Sequence, residues 1–135
     1  MKRLLSTSYS AGVFNFAMLF LRIGMGSLLL SHGYDKLVHF ATYKSKFINF
    51  LGMGSGLSLS LVIFAEFFCS LFLIVGLFSR LVAIPIVIAM FMAVWKSHHF
   101  DFFGAGEKAT LFLIGFITIL LLGPGKASVD GMVGK

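Results

Sequence analysis

Two ionisable residues sit inside apolar runs of this chain: Arg22 in "FLRIGMGSLLLSH" and Glu66 in "VIFAEFFCSLF". A charge facing hydrocarbon costs several kcal/mol, so each must turn inward, towards a partner or a shared polar cavity. If the first helix ends at Ser31 and the second begins at Leu57, each charge lies about 13 Å from that end at the α-helical rise. Antiparallel neighbours would then bring Arg22 and Glu66 level, and a buried Arg22–Glu66 pair is expected. Such a pair can simply fix helix register, or it can bind a polar or redox-active headgroup or relay protons. Ser70, one turn from Glu66, could share its hydrogen bonds, and Gly26 and Gly33 near the Arg22 face allow helices to approach closely.

A second group gathers on one side of the expected membrane: His32, His39, His98 and His99, with Asp35, Asp101 and Glu107. Imidazoles and carboxylates of this kind can hold a metal ion or admit protons, and the metal candidates are His32, His98, His99 and Asp101. The pair in "KSHHFDFF" lacks the i, i+4 spacing that presents two ligands on one helix face, so interfacial solvation or capping is the simpler reading. Glu107 also complements the dipole of a helix it would begin. Trp95, Phe100, Phe102 and Phe103 read as an aromatic belt. The single Cys69 excludes an internal disulfide, a CxxC pair and a cysteine metal site.

These residues need elements to position them. At 59% apolar and 12% charged residues, with a mean hydropathy of +1.00, the chain falls outside the range of soluble domains and reads as an integral membrane protein. Apolar runs at about 14–31, 57–78, 81–96 and 107–122 predict an all-α antiparallel bundle of four transmembrane helices in a single domain spanning 1–135. The two residues Ser79 and Arg80 make the middle runs a hairpin, with Pro85 near the start of the third helix. The segment from Asp35 to Leu51 places Leu37, Phe40, Phe47 and Leu51 near one helical face, which predicts an interfacial helix between the first two spans. "GMGSG" after it lacks the lysine and preceding strand of a phosphate loop and serves as a connector. The net charge of +6 is scattered over every loop, which points to lipid headgroups and away from nucleic acid. "MKRLLSTSYSAGVF" has the charges of a signal sequence but no cleavage pattern follows, so a retained first helix is expected. The loops divide their cations evenly. Lys2 and Arg3 before the first span favour cytoplasmic termini.

In "LRIGMGSLLLSHGYDKL", "EFFCSLFLIVGLFSRL", "GAGEKATLFL" and "GPGKASVD", the chain resembles the DoxX family of small bacterial four-helix membrane proteins. That resemblance implies an inner-membrane location and a relation to membrane subunits of quinone-linked oxidoreductases and redox-stress complexes. Arg22 and Glu66 would be the catalytic pair, His32, Lys36 and Glu107 would hold a quinone, and no covalent cofactor is implied. The chain itself has no means to carry electrons, so a soluble or membrane redox subunit would bring them, with the lipid bilayer and further copies of the chain as other partners. The alternative is a non-catalytic scaffold or assembly chaperone. A small transporter or lipid-binding protein fits less well, because no inverted repeat supports alternating access.

Overall fold

The structure is a computed structural model and describes residues 2–45, 52, 54–97 and 99–133. Every regular element among them is helical: α1 (Ala11–Val38), α2 (Phe40–Lys44), α3 (Ser55–Val75), α4 (Ser79–Lys96), α5 (Glu107–Leu122) and α6 (Val129–Met132). Three of these, α1, α3 and α4, are long and apolar enough to cross a membrane. The 16 residues of α5 are equally apolar but form a shorter helix.

Local chemistry sets the ends. The Ser10 side chain accepts a hydrogen bond from the Val13 amide and starts α1. α3 stops in a Schellman turn, in which Leu77 N–H donates to the Phe72 carbonyl and Gly76 N–H to that of Leu73. Gly76 takes a left-handed conformation there (φ 79°), and a Cβ at this position would lie 2.3 Å from Ser128 Cβ. Glycine is therefore required twice over, by backbone and by space. α3 contains a π turn at Phe64–Phe68, and a second, Ala93–Ser97, closes α4 and runs one residue past it.

α1, α3, α4 and α5 all contribute to one core. Met18 and Leu29 of α1 meet Cys69 and Leu73 of α3, Ile86 and Met90 of α4, and Phe112 and Phe116 of α5. Their outer faces carry exposed Phe16, Phe20, Leu61, Phe68, Ile84, Ile88, Ile114 and Leu121. An apolar surface of that extent suits lipid and not water. Since lipid is as apolar as these side chains, close packing has to hold the helices together. At the α1–α3 crossing, the position of a Cβ on Gly33 would lie 2.7 Å from the backbone carbon of Glu66 and the nitrogen of Phe67.

The segment expected to form an interfacial helix divides differently. Asp35 to Val38 are the last turn of α1, and Phe40–Lys44 is a separate five-residue helix. Asp35 accounts for the junction by accepting the His39 amide while His39 Nδ1 lies 3.2 Å from its carboxylate. Residues 46–51 of the expected helix lie outside the described residues.

Candidate functional site

Arg22 and Glu66 are both buried, at 2% and 5% exposure, but they do not pair. The expected register assumed that α1 ends at Ser31. α1 instead runs to Val38, which sets Arg22 deeper, level with the end of α3 and far from Glu66. Arg22 Nη1 donates to the Pro124 carbonyl at 2.6 Å, and Nη2 donates to the carbonyls of Ile74 at 3.2 Å and Ala127 at 3.0 Å. Ile74 belongs to the last turn of α3, where carbonyls lack intrahelical donors and carry the negative end of the helix dipole. The guanidinium is thus solvated by peptide oxygens from two segments, an arrangement its planar fork suits better than a lysine would. Nε has no partner among the described residues.

The same end is tied by the segment after α5. Asp130 accepts the N–H groups of Phe78 and Ser79, both at 2.8 Å, and thereby caps the start of α4. Burial raises the Asp130 carboxyl, but those two N–H donors, with Arg22 nearby, outweigh it and hold the group below the ordinary carboxylate range. Its own amide donates to the Gly76 carbonyl, and the Lys126 amide to Asn15 Oδ1. The side chains of Ser128 and Asp130 cap helices that follow or lie apart from this segment in the chain. Ser128 caps α6, and Asp130 caps α4 from a distance in the chain.

Glu66 pairs with Lys36, Nζ to Oε1 at 2.7 Å. Gly33 makes that contact geometrically accessible, because without a side chain α1 can lie against the backbone of Glu66 and Phe67 and carry Lys36 over one turn later. The π turn from Phe64 to Phe68 holds Glu66, and such turns frequently mark functional sites. Beside the pair is a cavity of about 240 Å³, lined by Leu29, His32, Lys36, Glu66, Met90, Ala93, Ala105, Lys108, Ala109 and Phe112. Ala93 comes from the second π turn, so both irregular turns border this space. Ala105 and Lys108 are exposed and form its rim.

The remaining candidates divide around this cavity. His32 lines it, its ring edge-on to Phe112 at 5.9 Å. Glu107 begins α5 but faces outward and does not line it, while its neighbour Lys108 does. Asp101 accepts the Ala105 amide at 3.1 Å and shapes the loop before α5. His99 sits in the same loop in a left-handed conformation, and His98 lies outside the described residues. Among the described residues, no three His, Cys, Asp or Glu side chains gather to hold a metal. Tyr43 donates to Asp35, and this hydrogen bond raises the phenol. Trp95 lies tilted against Phe91, and Lys96 Nζ sits 4.0 Å over its ring.

Compared with known proteins, residues 17–99 match the family model described as DoxX. No curated protein and no solved structure matches the chain.

Proposed function

The chain belongs to the DoxX family, and from that premise we propose that it is a membrane subunit of a quinone-linked oxidoreductase, with the cavity beside Lys36 and Glu66 as the quinone headgroup site. The cavity carries this reading: it joins an apolar wall of Leu29, Met90 and Phe112 to the polar groups of His32, Lys36 and Lys108. A planar ring with two carbonyl oxygens requires that combination of apolar enclosure and a few fixed donors. A bound quinone would supply two-electron redox chemistry that no residue of this chain can supply.

In this reading Lys36 has two tasks. It neutralises the Glu66 carboxylate and leaves further ammonium protons for an oxygen in the cavity. His32 supplies a ring nitrogen on the same wall as a second hydrogen-bonding group, and Glu66 holds Lys36 in place. Arg22 takes no part, since its Nη groups donate to the carbonyls of Ile74, Pro124 and Ala127, away from the cavity. The electrons come from a partner subunit. The reading also takes α5 as a fourth crossing, which makes an antiparallel four-helix bundle in the inner membrane with cytoplasmic termini, as Lys2 and Arg3 before α1 favour.

Native mass spectrometry of protein gently extracted from its host membrane tests the proposal. Stoichiometric quinone is expected on the native chain and its loss in a Lys36→Met, Glu66→Leu double variant that stays folded. Phospholipid alone, together with an unrelated protein partner, would overturn the quinone site in favour of a scaffold or assembly factor.

A further inference from the structure

The charges around the cavity do not balance. Lys36 is neutralised by Glu66 at 2.7 Å, yet Lys108 also lines the space, and among the described residues no carboxylate lies within ion-pair distance of it. Glu107, adjacent in sequence, is outside the lining. His32 adds a ring nitrogen that can donate a hydrogen bond towards a negative oxygen. The cavity therefore has one acid, already paired, facing two lysines and an imidazole.

From this imbalance we infer that the cavity selects ring compounds carrying an ionised oxygen over their neutral counterparts, with Lys108 at the rim as the specificity-determining cation. This rests on the quinone reading above and adds the charge of the ligand. The ring lies against Phe112, Leu29 and Met90, and its anionic oxygen points to the Ala105–Lys108 rim, where Lys108 Nζ can approach. The surplus charge is positive, so a neutral ring gains only apolar contact and hydrogen bonds, whereas an anion also offsets the unpaired ammonium. At a partly hydrated rim such attraction is modest.

The full-length protein in detergent can be titrated with 2-hydroxy-1,4-naphthoquinone, a vinylogous acid that is ionised at neutral pH, and with 2-methyl-1,4-naphthoquinone of nearly equal size, which is neutral. The hydroxy compound is expected to bind roughly tenfold more tightly, on the order of 1.4 kcal/mol. Lys108→Met should remove most of that difference by weakening the hydroxy compound far more than the methyl compound, and Lys108→Arg should retain it. Lys108 is exposed in the first turn of α5, so neither substitution disturbs the core. Equal binding of the two compounds, or a preference that survives Lys108→Met, overturns the inference and leaves the quinone site standing. Failure of both compounds to bind overturns the two together.

Discussion

At the scale of residues, the two buried charges solve the same problem in different ways, and the difference can be measured. Glu66 depends on one partner, Lys36, whose side chain still reaches the surface. Removing the acid as Glu66→Gln lets Lys36 extend towards the headgroup region, so the cost should be about 1 kcal/mol. Lys36→Met strands Glu66 among apolar neighbours and should cost about 3 kcal/mol or more, because a buried charge loses the counterion it has among the described residues. Replacing both with apolar residues should return stability close to that of the native protein. Denaturation in detergent, followed through Cys69, reads all three. That thiol is buried and should resist a maleimide until the protein unfolds. Equal losses for the two single variants would show that the pair is wet. For Arg22, three peptide carbonyls lose a charged donor in Arg22→Leu, and a loss of about 3 kcal/mol is expected. Arg22→Lys should recover only part of it, since one ammonium cannot follow the fork of the guanidinium.

At the scale of elements, Gly33 and Gly24 on the same helix make opposite predictions. A methyl group on Gly33 meets Glu66 and Phe67 backbone at 2.7 Å, which no rotamer change relieves, whereas Gly24 has nothing within 4 Å. Gly33→Ala should force α1 away from α3, lengthen the Lys36–Glu66 contact and lower stability by about 2 kcal/mol. Gly24→Ala should be neutral or slightly stabilising. Similar unfolding midpoints for the two variants would contradict the close crossing. The helices themselves were legible because runs of apolar residues long enough to cross a bilayer have few alternative readings. Register was not legible, since the polar residues Ser31, His32, Asp35 and Lys36 look like a helix end and yet continue α1 to Val38. That shift alone exchanges the expected Arg22–Glu66 partnership for Lys36–Glu66. The π turns left no pattern in the sequence either, because one extra residue in a turn does not change apolar composition. His32 stood out in the sequence as one of four histidines on one side of the expected membrane, and Lys36 entered as a candidate only through the family resemblance. Lys108 was missed, although it follows Glu107 directly, because a loop lysine beside a membrane has an ordinary role with headgroups.

At the scale of the whole molecule, the two ends of the helical core differ. One holds the cavity. The other is closed by the segment after α5, which reaches Arg22 through Pro124 and Ala127, the start of α4 through Asp130, and α1 through Lys126. A helix hairpin whose turn is Gly76 to Phe78 would otherwise leave the first amides of α4 without acceptors at a membrane surface, where unsatisfied backbone is costly. Asp130 supplies them, and its ionised form is required because both oxygens accept. The dependence on pH follows from the sign of its shift. Its folded pKa lies below the unfolded one, so its contribution is complete above the ordinary carboxylate range and is lost as pH falls through the lower folded value. Asp130→Asn should therefore lower the unfolding midpoint at neutral pH, by an amount corresponding to about 1 kcal/mol for a lost cap. The gap between variant and native protein should close in acid, as native Asp130 takes up its proton. A gap that persists at the lowest pH would mean that shape, and not charge, holds the closed end. The Lys36–Glu66 contact should be unaffected in the variant, since neither residue bonds the segment that carries Asp130.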